Sequence, residues 1–168
     1  VEDEREATAL LAAKYEGEPS KFMTMIGVTG TKGKTTTVSM IRKILSESGI
    51  RTGMIGTTGQ FDGKEHLPSK HTTPDGVTLQ RSLARMRKNA CRACVMEVSS
   101  QALKLQRTKG ICFDTGVFLN LGEDHIGRFE HADKEEYLAC KRKLFLQSRE
   151  AVVNADDPVW KQMLMGTE

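Results

Sequence analysis

Strand-like and helix-like segments alternate along the 168 residues, and this predicts an α/β fold, a mostly parallel sheet flanked by helices. Two observations carry the expectation. A glycine-rich loop, Gly27-Val28-Thr29-Gly30-Thr31-Lys32-Gly33-Lys34-Thr35, stands between an apolar strand and an amphipathic helix. Beyond it, short apolar runs recur between helical stretches, the spacing that parallel strands joined by crossovers require.

The elements follow in order. Residues 1–20 read as a short helix with Ala7, Leu10, Leu11 and Ala13 on one side, then a turn at Gly17-Glu18-Pro19-Ser20. Residues 22–28 form an apolar strand, and residues 34–48 a helix whose Val38, Ile41, Ile44 and Leu45 keep a helical period, with Gly49 as its stop. A second strand covers 51–55, and 56–71 is a loop or hairpin turning at Asp62-Gly63. Pro74 marks the first turn of another helix, continued by Val77, Leu83 and Met86. Strands at 94–98 and 115–119 precede a helix over 134–146 that buries Tyr137, Leu138, the Lys141 stem, Leu144 and Phe145; a last strand is 151–153. The sequence shows no internal repeat and no low-complexity tract.

Composition narrows the function classes. With 38% hydrophobic and 28% charged residues the chain is globular rather than disordered, and its length suits one core. A net charge of +3 is too slight to argue for nucleic acid by bulk charge, and 5% aromatics argues against a base-stacking surface. No apolar run approaches the roughly 20 residues of a membrane helix, and no signal peptide opens the chain, so no membrane partner is expected. Cys91-Arg92-Ala93-Cys94 reads as CxxC, but no second pair follows at zinc-ligand spacing, and Cys94 is expected as a buried strand thiol. Without a disulfide framework, a reducing cytoplasm is the simplest home.

The chemistry centres on the loop. Gly30, Thr31, Lys32, Gly33, Lys34, Thr35 and Thr36 can present backbone N–H groups, a helix N-terminus, an ammonium and hydroxyls to phosphates and Mg²⁺, which makes the fold class P-loop type. Val28 stands where the strict GxxxxGK[ST] pattern has its first glycine. Glu97, at the tip of the 94–98 strand, is placed to hold Mg²⁺ directly or through water. A GTPase would need an Asn-Lys-x-Asp guanine reader; Asn154-Ala155-Asp156-Asp157 lacks the lysine and disfavours it.

Five ordered segments together resemble the Mur ligases: the loop continued through Thr37, Thr72-Thr73-Pro74, Met96-Glu97-Val98-Ser99-Ser100, Asn120-Leu121-Gly122-Glu123-Asp124-His125-Ile126-Gly127, and Asn154-Ala155-Asp156-Asp157. Their order and spacing are most similar to the branch that adds lysine or diaminopimelate to UDP-N-acetylmuramoyl-L-alanyl-D-glutamate. The resemblance implies an ATP-dependent amide ligase of peptidoglycan synthesis working through an acyl phosphate. It implies that residues 1–20 end a preceding domain or linker, and that 21–168 are the N-terminal part of the ATP-binding central domain.

By the same resemblance Lys34 and Thr35 bind ATP phosphates and one Mg²⁺, and Glu97 completes that metal site. His125 and a carbamylated Lys141 serve a second Mg²⁺, and Lys34, Lys141 and His125 form the catalytic set. Thr72, Thr73, Ser99 and Arg107 contact the UDP-linked peptide. The expected partners are UDP-N-acetylmuramoyl-dipeptide and an amino acid, with the chain a monomer. A closing carboxy-terminal domain is absent, so the isolated chain is expected to make little amide product.

Lys32 replaces a customary Asn, Leu105 a customary Gln, and Ser99-Ser100-Gln101 a customary Ser-Ser-His. These departures bear on substrate contact more than on ATP chemistry. Two rivals stay open: a folylpolyglutamate synthetase-like ligase, which shares the loop and the lysine but against which Thr72-Thr73-Pro74 speaks, and a non-catalytic nucleotide-binding module, which Lys32 and Leu105 leave open. Of the other histidines, His66 is read as solvated, His71 as flanking the substrate or placed by chance, and His131 as a loop residue. The basic run Arg85-Met86-Arg87-Lys88 is read as an exposed helix face.

Overall fold

The computed structural model describes residues 3–122 and 131–167, and every statement below is of those residues. Strands β1 (Thr24–Thr29), β2 (Thr52–Gly56), β3 (Gly59–Phe61), β4 (His66–Leu67), β5 (Ala93–Glu97), β6 (Phe113–Phe118) and β7 (Ser148–Val153) form one sheet in the order β4-β3-β2-β5-β1-β6-β7. The five strands from β2 to β7 along that order run parallel, and β3 and β4 add an antiparallel edge. Helices α1 (Glu4–Tyr15), α2 (Lys34–Glu47), α3 (Gly76–Lys88), α4 (Ser100–Lys104), α5 (Lys134–Arg142) and α6 (Trp160–Met163) cover it. The predicted α/β class holds.

Alternation along the strands sorts the core onto two faces. Met25, Ile55, Cys94 and Met96 pack with Leu79, Leu83 and Met86 of α3, while Val28, Met54 and Val95 pack with Val38 of α2. Burying each such side chain stabilises the fold by about 1.5–3 kcal/mol. Because period two also holds at the end of β5, Glu97 shares the α2 face with Val95 and meets the first turn of that helix. Phe118, Phe145 and Met163 make a smaller cluster beyond β6.

Several boundaries differ from the expected ones, each for a local reason. β1 begins at Thr24 rather than Phe22, because Pro19–Phe22 forms a 3₁₀ turn and the exposed Phe22 ring lies under the Arg87 guanidinium, 3.5 Å away. α1 buries Ala9 and Ala13, not Leu10 and Leu11, since a Cβ on Gly76 of α3 would stand 2.9 Å from that of Ala9. So close an approach admits only small residues, and Leu11 is left 70% exposed. Ile44 is likewise exposed on α2. α3 starts at Gly76, not Pro74, because Asp75 caps it by accepting from the Thr78 N–H.

The helix expected over 134–146 ends at Arg142 and continues as a 3₁₀ turn, Phe145–Gln147, and β7 begins three residues earlier than expected, at Ser148. α4 and α6, with 5 and 4 residues, are too short to show a hydrophobic period. β6 begins at Phe113, two residues before the expected start, while other expectations agree: α2 closes with Gly49 at φ 80°, residues 59–67 form the hairpin turning at Asp62-Gly63, and Arg85, Arg87 and Lys88 are exposed around buried Met86. Cys94 is a buried free thiol, its pKa pushed up by desolvation. No helix is long and apolar enough to cross a membrane.

Candidate functional site

The loop after β1 sits where strand order makes room for it, at the carboxyl edge of the central strands. Gly33 caps α2 in the left-handed region, φ 87°, and without a side chain it leaves the first-turn N–H groups with no side-chain cap. In contrast Asp3, Asp75, Ser99 and Asp133 cap α1, α3, α4 and α5. Gly30 is needed for space, since a Cβ there would stand 2.9 Å from that of Leu119. The Lys34 ammonium lies across the loop, donating to the carbonyls of Gly30 (2.7 Å) and Thr31 (3.1 Å). Burial lowers its pKa, and the charge of Glu97 opposes that shift.

Asn120, just past β6, holds the loop. Its side-chain oxygen accepts from the N–H groups of Thr31 (3.1 Å) and Lys32 (2.9 Å), and its amide donates to the Lys32 carbonyl (3.1 Å). The segment Asn154-Ala155-Asp156-Asp157 braces Asn120 in turn: Asn154 donates to the Leu119 carbonyl and Asp157 accepts from the Leu121 N–H.

Glu97 is 2% exposed. One carboxylate oxygen accepts from the Thr35 hydroxyl and the Thr57 N–H, both at 2.9 Å, and the other from the Thr57 hydroxyl at 3.2 Å. Gly56 opens this niche, because any Cβ there would collide with that carboxylate. A buried carboxylate beside a threonine hydroxyl, with lone pairs to spare, is an oxygen donor set that suits Mg²⁺.

A cavity of about 240 Å³ opens alongside, lined by Lys34, Thr72, Thr73, Ser99, Arg107 and Lys141, together with Lys70, His71, Ser100, Gln101, His131 and Tyr137. All four residues expected to contact substrate therefore meet Lys34 and Lys141 in one place. Thr73 is itself buried: its hydroxyl donates to the Glu97 carbonyl at 2.8 Å and accepts from the Ser99 N–H at 3.0 Å. Arg107 donates to the Thr73 carbonyl at 2.9 Å, so this wall is fixed by its own bonds. Lys32 and Thr36 are exposed at the rim. His125 lies outside the described residues.

Lys141 departs most from its sequence reading. Not only its stem but the whole side chain is buried, 1% exposed, with the ammonium 4.4 Å from the centre of the Tyr137 ring. Desolvation, followed by the charge of Lys34, pushes its pKa down to about 7.

Residues 28–167 match the Mur ligase middle domain. The chain belongs to the Mur ligase family. A Mur ligase of Halalkalibacterium halodurans, UDP-N-acetylmuramoyl-L-alanyl-D-glutamate--2,6-diaminopimelate ligase, is 44% identical over 164 residues, covering 94% of this chain and 33% of that protein. A solved structure of a ligase with the same name superposes with a TM-score of 0.82 at 30% identity, over 95% of this chain and 33% of that one. The chain thus spans about a third of the length of the curated relatives it matches. Mycobacterium tuberculosis folylpolyglutamate synthase complexed with ADP superposes over 96% of this chain and 44% of that one, with a TM-score of 0.74; at 16% identity this shows a shared fold alone.

Two residues at this candidate site were missed in the sequence. His131 is 1% exposed, lines the cavity and shares a 2.9 Å hydrogen bond between its Nε2 and the Ser100 Oγ. Tyr137, read as a core residue, bonds Thr31 through its hydroxyl. Neither carries a local signal for these bonds, because Ser100 and Thr31 are brought to them by the packing of α5 on α4 and on the loop.

Proposed function

We propose that the chain is the nucleotide-binding part of an ATP-dependent ligase that joins an amino acid to UDP-N-acetylmuramoyl-dipeptide. The observation that supports this reading best is the meeting of Lys34, Thr35 and buried Glu97 at the mouth of an uncapped helix, beside the cavity lined by Thr72, Thr73, Ser99 and Arg107. Mg²⁺-ATP supplies the γ-phosphoryl group that activates a substrate carboxylate for attack by an amine. The close relatives carry the substrate's name, and the dipeptide and amino acid are assigned on that ground.

In this reading Gly30, Thr31, Lys32, Gly33 and Thr36 frame the phosphates, and the α2 N-terminus and Lys34 neutralise their charge. Thr35 and Glu97 hold the cation. Lys141, with its pKa near 7, keeps a share of its amine neutral at physiological pH, the form that adds CO₂ and releases a proton to become a carbamate. That carbamate and His125 are assigned to a second Mg²⁺. Thr72, Ser99 and Arg107 are assigned to the UDP-linked peptide, with Thr73 fixing their wall. Residues 1–20 are taken as the end of a preceding domain or linker, docked through α1 onto α3, and 21–168 as the N-terminal part of the central domain. The protein is placed in the cytoplasm as a monomer.

ADP release by the ligase carrying this chain tests the reading. It should require the UDP-linked dipeptide together with diaminopimelate or lysine, and Lys34→Ala should abolish it. ADP release driven instead by a folate acceptor and glutamate would overturn it.

A further inference from the structure

Around α5, next to the cavity that His131 also lines, three side chains of different chemistry converge. One ligand atom each from His131, Glu136 and Cys140 lies within 4.8 Å of the other two. His131 and Cys140 are buried, and Glu136, one helical turn before Cys140, is half-buried and gives the group access to solvent. We infer that this triad is a binding site for a borderline divalent cation of the Zn²⁺ class.

The imidazole is already oriented for the task. Its Nε2 bonds the Ser100 Oγ at 2.9 Å, so Nδ1 is the nitrogen turned to Glu136, whose Oε2 stands 3.9 Å away. A ring held by one nitrogen through a hydrogen bond, with the other aimed at further donors, is how metal-binding histidines are fixed. Glu136 is fixed too: Ala132 N–H donates to Oε2 at 2.7 Å, and Lys104 pairs with Oε1 at 2.7 Å. Oε2 keeps a lone pair beyond that bond.

A tetrahedral Zn²⁺ with bonds of about 2.0–2.3 Å has ligand–ligand edges of roughly 3.3–3.8 Å. The triad therefore needs only a small contraction, with water as a fourth ligand. A nitrogen, a sulfur and a single carboxylate form a set that excludes Mg²⁺, so the site is chemically separate from the Glu97 niche. On binding, the Cys140 thiol gives its proton to solvent and the sulfur–metal bond forms.

Cobalt titration of the chain in excess Mg²⁺ tests this. A single equivalent should give the visible bands of tetrahedral Co²⁺ and a thiolate-to-cobalt charge-transfer band. Cys140→Ser should remove the charge-transfer band, Glu136→Gln should weaken binding, and Ser100→Ala should weaken it by about tenfold through the imidazole. Cys112→Ser, at an exposed thiol, should change nothing. Absence of the tetrahedral spectrum, its persistence with the charge-transfer band in Cys140→Ser, or displacement of Co²⁺ by Mg²⁺ would overturn the inference.

Discussion

The Tyr137 hydroxyl lies 3.2 Å from the Thr31 hydroxyl, joining residues 106 apart in sequence. Thr31 also accepts from the Gly122 N–H at 2.8 Å, so the glycine-rich loop is tied at one atom to α5 and to the chain after β6. The same Tyr137 ring faces the Lys141 ammonium. One side chain thus links the loop to the buried lysine.

Tyr137→Phe removes the loop bond while keeping the ring against Lys141. A hydrogen bond of this kind contributes about 0.5–1.5 kcal/mol net, so Mg²⁺-ATP affinity should fall by about 2–10-fold. Isothermal titration measures it. An unchanged affinity would show that the loop is held without this bond.

Glu97→Gln keeps an acceptor for Thr35 and Thr57 but removes the charge that suits Mg²⁺. The variant should melt at or above the wild-type temperature without ligand. Mg²⁺-ATP at about 100 times its Kd should stabilise the wild type by about 2.7 kcal/mol, and most of that increment should vanish in the variant. Paired thermal melts with and without ligand check both arms.

Lys141 sets a pH dependence. Its pKa falls from 10.5 in the unfolded chain to about 7 in the folded one. The unfolded state therefore binds the extra proton between those values, and stability rises with pH across that window. Below pH 7 both states are protonated and the full cost of the buried ammonium remains. Lys141→Met should flatten the slope and stabilise the fold at pH 7 by about 1–4 kcal/mol. Denaturant melts from pH 6 to 10 read the slope, and a parallel slope in the variant would assign it to other groups.

Much of this was legible in sequence because it is local. The loop declares itself through Gly30, Gly33 and Lys34, whose spacing is a backbone requirement, and Glu97 follows from strand alternation once β5 is placed. Thr72, Thr73, Ser99 and Arg107, singled out in sequence as substrate contacts, line one cavity. The hydroxyls that Tyr137 and His131 bond, those of Thr31 and Ser100, lie 106 and 31 residues away, and no periodicity announces them. Leu10 and Leu11 misled because hydrophobicity does not reveal how closely two helices approach; Gly76 and Ala9 decide that. A lysine usually buries only its stem, whereas Lys141 is buried whole, its ammonium against the Tyr137 ring.

The central claim is that this chain forms a working phosphate site, and calorimetric titration of Mg²⁺-ATP into the wild type and Lys34→Ala tests it most directly. The account predicts saturable binding to the wild type and its loss in the variant. Equal affinity in the two, or no binding to the wild type, would contradict it.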